Sequence, residues 1–445
     1  MAKEKKTAIE EPKNTSSKDI LLKLKNNINA HYERKVVILG SEKTELPKIE
    51  TGIFPIDVET EGGIPRGRWI ILVGDESSFK STLMYHIAGK MQRVCATCMS
   101  GIITEKNYKK VTLPNELDKS NENIEVGKTG ELYSKKYFAT KNKMNAYCPG
   151  ELMTHGKEVS LLEYELECSN CNNPEYSIFL LVDSEHNYTK SWASKWGVVH
   201  YYTALSDTSH SQMTGDIIRE AMGTGKVSFV AIDSLDSHGA AEEMTASLEE
   251  WQVGLQARVW NKIVRIITSL LNTTFVYTYT NKVEKKIAEE KHQEPVICII
   301  QQWREKIMSF GDPKVMGGGR GKNFASSLTI ALSAGEKVHE MTGGSSSKKD
   351  YLKGSYFNFI LKKHKVGRPE RTGRFYFNQM THTVDNASAI FDYALKYKLI
   401  EQGGAWYTVG EERFQGEEKV KKYLSENPKV MESLKIKILK SVSEL

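Results

Sequence analysis

WIILVGDESSFKST, at residues 69–82, joins a continuous apolar run to a polar, serine-rich turn and the start of a helix. Trp69–Gly74 has the pattern of a strand covered on both faces, and STLMYHIAGKMQ, from Ser81, resumes apolar residues at helical spacing. Strand, loop and helix in this order are the setting of a phosphate-binding loop, and residues 74–82 nearly spell its signature, G-x-x-x-x-G-K-[ST]. In such a loop main-chain amides cradle phosphates, the lysine ammonium reaches the terminal phosphates and the following hydroxyl serves Mg²⁺. The candidate nucleotide-binding residues are therefore Gly74, Asp75, Glu76, Ser77, Ser78, Phe79, Lys80, Ser81 and Thr82, with Lys80 for phosphate and Ser81 for the metal. Phe79 stands where the second glycine belongs. The position asks for backbone geometry more than for a missing side chain, on the condition that φ is not forced positive there. Taken alone, an imperfect signature is equally met by an ordinary turn before a helix.

Two further apolar runs end on acids. VSFVAIDS, residues 227–234, places Asp233 and Ser234 at a strand end, where a second, Mg²⁺-directed carboxylate is needed. YSIFLLVDSE, residues 176–185, offers Glu185 for orienting an attacking water, with Asp183 as the competing choice. Isolated carboxylates are costly to desolvate, so acids at the ends of buried strands point to a task. Together the three strand ends point to an ATPase. Apolar strands alternate with helical stretches, which argues for an α/β fold with a mostly parallel sheet. After the long helical pattern at residues 250–271, TFVYTYTN at 274–281 reads as the next strand. EPVICIIQQWREKI, at 294–307 within the Lys/Glu-rich stretch 282–314, reads as a small helix.

The chain has 445 residues, 39% apolar and 27% charged, with a net charge of +6, the profile of an ordinary soluble protein of several domains. No apolar run approaches about 18 residues, which excludes a helical membrane span, and the mixed-charge start is too polar for a secretory leader. A cytoplasmic protein is expected. Of six cysteines, Cys95 with Cys98 and Cys168 with Cys171 form two C-x-x-C pairs, while Cys148 and Cys298 stand apart. The stretch between the pairs is poor in apolar runs and reads as an insertion. If a helix leads into it and a strand leaves it, its two ends lie side by side and four thiolates meet one structural Zn²⁺. Cys148 could replace one of them, and four reduced structural cysteines are the plainer alternative.

Six motifs in order, GDESSFKST, VDSEH…WASKWGV, GLQARVWNKIVR, MGGGRGKNFAS, LKKHKVGRP and KLIEQGGAWYTVG…QG, resemble the bacterial RecA recombinases and their phage relatives of the UvsX type. The resemblance runs from about residue 22 to the C-terminus, interrupted by the insertion. SFKS and VMGGG are closer to the phage branch, LIEQGGAWY to the bacterial one. It implies a RecA-like P-loop ATPase core at 51–97 and 174–388. Around this it implies a disordered arm at 1–19, a helix–strand polymerisation segment at 20–50, a zinc-ribbon-like insertion at 98–173 and a small α+β domain at 389–445.

The resemblance further implies that Glu185 activates water, that Asp233 and Ser234 form the Walker-B end, and that Trp192 stacks on adenine. Lys363 and Lys365 would reach the ATP of a neighbouring subunit; on charge alone they are a solvated strand end. Residues 244–258 match the first DNA loop, with Arg258 and Arg265 as phosphate contacts, and Gly317, Gly318, Gly319 and Arg320 match the end of the second. Without the family these are surface charges and a hinge. The glutamine that senses the γ-phosphate is placed near Thr280 and Asn281.

The implied cofactors are ATP and Mg²⁺, with Zn²⁺ from the cysteines. The implied partners are single- and double-stranded DNA, further copies of the chain in a helical filament, and single-strand-binding and loader proteins, with no membrane. A helicase or RadA-type translocase of the same superfamily is the enzymatic alternative. A non-hydrolysing DNA-binding filament protein is the other.

Overall fold

The apolar run at the head of the phosphate loop is a strand, β1 (Trp69–Gly74), buried along its whole length. Its alternate residues serve two cores, Ile70 and Leu72 on one face and Ile71 and Val73 on the other, as the two-residue period of a strand requires. The computed structural model describes residues 16–31, 39–42, 46–112, 124–126, 132–134, 147–155, 158–208, 210–237, 239–245, 254–271, 276–280, 283–288, 293–305, 314–317, 319–342 and 349–444.

β1 belongs to a ten-stranded sheet with β2 (Ile178–Asp183), β3 (Thr203–Ser206), β4 (Val227–Asp233), β5 (Val296–Glu305), β6 (Lys314–Met316), β7 (Ser326–Thr342), β8 (Lys349–His364), β9 (Thr372–Asn378) and β10 (Thr383–Val384). The order is β3-β2-β4-β5-β1-β7-β8-β9-β10, with β6 paired to β5. From β3 to β7 all pairs are parallel, and β8 to β10 extend the sheet antiparallel. Helix α1 (Lys80–Gln92) covers one face through Leu83, Met84 and Ile87. Helices α2 (Ser211–Gly223) and α3 (Leu255–Leu271) cover the other through Ile218, Trp260, Ile263 and Ile267. The α/β fold with a mostly parallel sheet is thus as the sequence predicts.

One strand assignment is corrected. EPVICIIQQWREKI supplies β5, between β4 and β1, and not a helix. TFVYTYTN supplies Val276–Thr280, which pairs antiparallel with Val283–Ala288 in a separate hairpin. The reason lies in the pattern: VICII is apolar at successive positions and suits a site covered on both faces, whereas VYTYT alternates.

Residues 1–47 and 48–445 form two units. The first contains the helix Ser17–His31, opened by Ser16, whose Oγ accepts from Asp19 N at 3.2 Å. The pattern predicts this helix from residue 20 and a strand at 36–39; residues 32–38 lie outside the described residues. At the other end of the chain, helices Asn386–Lys396, Glu417–Glu426 and Pro428–Ser443 enclose a core of Phe391, Leu424 and Ile438 beside a three-stranded sheet, joined by Phe54 and Val58. In the insertion, Ile103–Thr112 and Glu158–Cys168 pair antiparallel, with Lys106 opposite Glu165 and Lys109 opposite Glu163, and Tyr147–His155 adds a third strand. No described helix is long and apolar enough to cross a membrane.

Candidate functional site

Gly74 ends β1 and Lys80 begins α1, so residues 75–79 form the loop at the carboxyl edge of the sheet. The Lys80 side chain lies back across it, Nζ donating to Asp75 O at 2.5 Å and Ser78 Oγ at 3.3 Å. Burial lowers the Lys80 pKa, while Asp233, Glu185, Asp75 and Glu76 oppose that shift. Ser81 Oγ donates to Asp233 Oδ2 at 2.8 Å, bringing the hydroxyl and the carboxylate of a Mg²⁺ site together from residues 152 apart. Burial pushes the Asp233 carboxyl up to about 6, against the Ser81 hydrogen bond, with Glu185 and Asp183 adding to the rise. A hydroxyl, a buried carboxylate and an ammonium around one loop fit a Mg²⁺–triphosphate group. Ser234 sits just beyond, its Oγ 2.9 Å from Ser237 Oγ.

The condition on Phe79 is not met: its φ is +75°, in the left-handed region, and Ser77 in the same loop has φ +56°. The signature glycine is therefore explained by backbone strain, of about 1–2 kcal/mol for a residue with a Cβ. The phenyl ring offsets it. It is buried against Phe357 of β8 and Phe375 and Phe377 of β9, at centroid distances of 4.9, 5.1 and 5.2 Å.

The structure separates the two acids after β2. Asp183 caps the following turn, its carboxylate accepting from Asn187 N at 3.1 Å and Tyr188 N at 2.8 Å. Glu185 is exposed; its carboxylate accepts from Asn187 Nδ2 at 3.2 Å and acts electrostatically on both Lys80 and Asp233. Beside the loop lies a cavity of about 380 Å³, lined by Ser77, Phe79, Thr82, Trp192, Phe357, Phe377, Gln379 and His382. Trp192 is braced by Trp196 at 5.3 Å and His382 at 5.4 Å. An aromatic wall next to a phosphate loop suits a planar base.

Lys363 and Lys365 sit at the end of β8, where they donate to the carbonyls of Asn323 and Phe324, the latter at 2.6 Å. They cap the short helix Gly321–Ala325. Arg258 and Arg265 lie exposed on α3, and the structure adds Lys262 between them on the same face. Spacing of four and three residues could have revealed this third cation. Of the glycine run, Gly317 and Gly319 are described and Gly318 lies outside the described residues, as do 246–253 of the first loop. Gly319 has φ +83° and passes so near α3 that a Cβ would lie 3.0 Å from Ala257 Cβ. Arg320 is exposed.

The expectation for the sensor glutamine is overturned by the strand order. Thr280 lies in the hairpin off the central sheet, and Asn281 lies outside the described residues. The strand beside β1 is β5, which carries Gln301 opposite Val73 and Gln302 opposite Gly74.

Cys95, Cys98, Cys168 and Cys171 converge, their sulfurs all within 4.8 Å of one another. The pairs Cys95–Cys171 and Cys98–Cys168 stand 3.7 and 3.6 Å apart, close to the edge of roughly 3.8 Å that a tetrahedron of Zn–S bonds requires. Four soft ligands in this arrangement fit zinc. Cys148 lies on the strand Tyr147–His155, and Cys298 is buried in β5.

A strand–loop–helix of this geometry in a mostly parallel, doubly covered sheet defines the class of P-loop nucleoside-triphosphate-binding proteins. Sequence comparison narrows it. A profile of the RecA N-terminal domain matches residues 168–375 and one of the RecA C-terminal domain matches 388–443, together more than half of the chain. Protein RecA of Borrelia turicatae (strain 91E135) is 28% identical over 271 residues, 60% of this chain and 67% of its own length. Protein RecA of Acholeplasma laidlawii (strain PG-8A) is 26% identical over 259 residues, 58% and 70% respectively. The chain belongs to the RecA family.

Proposed function

We propose that the protein is an ATP-dependent recombinase of the phage-like, UvsX type. It polymerises on single-stranded DNA, pairs it with homologous duplex and hydrolyses ATP between subunits. The observation that carries this is the convergence of Lys80, Ser81, Asp233 and Glu185 at the carboxyl edge of the sheet in a RecA-family chain. Lys80 and the loop amides hold the phosphates, Ser81 and Asp233 hold Mg²⁺, and Glu185 orients the attacking water. Mg²⁺ supplies charge neutralisation on the transferred phosphoryl group. Trp192 stacks on the base, and Gln302, exposed at the level of Gly74, meets the γ-phosphate. Arg258, Lys262 and Arg265, with Gly317, Gly318, Gly319 and Arg320, take the DNA backbone, a sequence-independent and salt-sensitive contact. Lys363 and Lys365 act on the neighbouring subunit's ATP, as cations do that stabilise charge on a transferring phosphate. The domain divisions at 19/20, 50/51, 97/98, 173/174 and 388/389 belong to this reading.

Electron microscopy with single-stranded DNA and an ATP analogue tests it: open helical filaments are expected, and closed rings would point to the helicase or translocase instead. In the same preparation, Lys363→Ala with Lys365→Ala is expected to bind nucleotide normally but to lose DNA-stimulated hydrolysis by about 10³-fold. Retained stimulation would remove the role in trans.

The cysteine cluster is assigned to one structural Zn²⁺, which ties off the base of the insertion where Cys95 packs on Ile103, Leu166 and Tyr176. Elemental analysis of the purified chain is expected to find zinc equimolar with protein, and Cys168→Ser to abolish it. Metal-free wild-type protein with four freely reacting thiols would reject the assignment.

A further inference from the structure

Asp236 lies in the short 3₁₀ turn Leu235–Ser237, three residues beyond Asp233. Its side chain is only 15% exposed, and Oδ1 stands 3.2 Å from Arg304 Nη2 on β5. Its Oδ2 accepts from Gln301 Nε2 at 3.4 Å, and the same Nε2 lies 3.4 Å from Gly317 O. Gly317 runs so close to this pair that a Cβ there would fall 2.5 Å from Asp236 Oδ1 and 2.9 Å from Arg304 Nε. Lys322, 1% exposed, donates to the carbonyls of Gly317 and Gly319. Burial lowers its pKa to about 8, with Asp236 opposing the shift and Arg304 adding to it. One nearly buried carboxylate therefore sits at the base of the β5–β6 hairpin, against Arg304 on the outgoing strand and beside Gly317, just past the returning one. A second pair, Lys314 Nζ to Asp75 Oδ2 at 2.8 Å, links the same excursion to the phosphate loop. Both partners there are well exposed, so water screens that link, and Asp236 acts at the base beside the β5–β6 pairing and Lys322.

We infer that Asp236 is a positioning residue that fastens the base of the second DNA loop to the strand carrying the Mg²⁺-binding Asp233. Through it, a displacement at Asp233 is transmitted to Arg304 and the glycine run. This rests on the recombinase reading above. A carboxylate with few water contacts is held by the Arg304 guanidinium and the Gln301 amide together, and its removal leaves Arg304 without its carboxylate and frees the amide that bridges Asp236 to Gly317 O.

The test uses the full chain with the isosteric change Asp236→Asn. The half-saturating concentration of single-stranded DNA for stimulated ATPase is expected to rise on the order of tenfold, with turnover in the absence of DNA and the half-saturating ATP concentration unchanged. Tryptic cleavage after Arg320, at the far end of the fastened segment, is expected to accelerate by a similar factor, since local opening limits such cuts. Arg304→Gln, at a half-exposed side chain, should reproduce the DNA effect, and the double variant should be no worse than either single one. Unchanged DNA half-saturation and unchanged cleavage overturn the inference, and so do additive effects in the double variant. If the wild-type chain shows no DNA-stimulated hydrolysis, the recombinase reading falls, and the cleavage comparison alone decides whether Asp236 fastens the loop.

Discussion

Replacing Lys80 with alanine is expected to lower ATP turnover by roughly 10³-fold or more while leaving the protein folded. In the proposed site its ammonium is the main cation that the loop offers to phosphates, and it rests on Asp75 O at 2.5 Å and Ser78 Oγ at 3.3 Å, pointed across the loop. A factor of 10³ corresponds to about 4 kcal/mol of transition-state stabilisation, a size typical of one preorganised charge in a partly dry site. Stability should not fall in parallel. Burial disfavours the charged lysine, as its lowered pKa records, so alanine removes a group that the apoprotein holds at a cost. Turnover measured beside thermal unfolding separates the two effects. Lys80→Arg is a sharper control: it keeps the charge but replaces a compact ammonium by a planar fork, and should bind ATP yet hydrolyse it poorly. Wild-type turnover in Lys80→Ala would place the ATPase site elsewhere.

What the sequence disclosed, and what it withheld, follows from whether a feature is local. Strand β1, the loop and α1 are contiguous, so the apolar run, the lysine and the helical spacing could be read together. Asp233 and Glu185 stood out as candidates because one apolar run ends on Asp233 and another on Asp183, two residues before Glu185, and an acid at a buried strand end points to a task. β5 was not, because strand propensity does not name a partner. Val276–Thr280 and Val296–Glu305 are both strand-like, and only the second pairs with β4 and β1. The same difference moves the proposed place of the sensor glutamine from Thr280 and Asn281 to Gln302, on the strand beside β1. Asp236 was hidden for the same reason, since its partners Arg304 and Gln301 lie on the strand whose pairing the sequence does not show. The cysteine cluster was legible despite its long spacing, because helix and strand fix both ends of the insertion to one edge of the core.

Phe79→Gly, which restores the phosphate-loop signature, is expected to destabilise the protein by about 2–3 kcal/mol, in spite of relieving a left-handed φ. The two terms act in opposition. With φ at +75°, glycine removes a backbone penalty of about 1–2 kcal/mol, part of which is returned by the greater entropy of glycine in the unfolded chain. Against this stands the loss of a phenyl ring that is 7% exposed and packed among Phe357, Phe375 and Phe377. Emptying a buried phenylalanine site costs about 3–5 kcal/mol, and the three surrounding rings are held by strands β8 and β9 and cannot collapse freely into the space. The packing term wins. Thermal unfolding should show a midpoint lower by roughly 2–4 °C. Phe79→Leu, with most of the apolar volume and the same backbone penalty, should fall between glycine and the wild type. Phe79→Val should be worse than leucine, because branching at Cβ makes a positive φ harder to hold. A Phe79→Gly protein as stable as the wild type, or more so, would mean that the ring does not offset the loop's strain. The phosphate loop and the β8–β9 extension would then be independent, where the aromatic cluster otherwise makes the strained loop a consequence of the strands that pack on it.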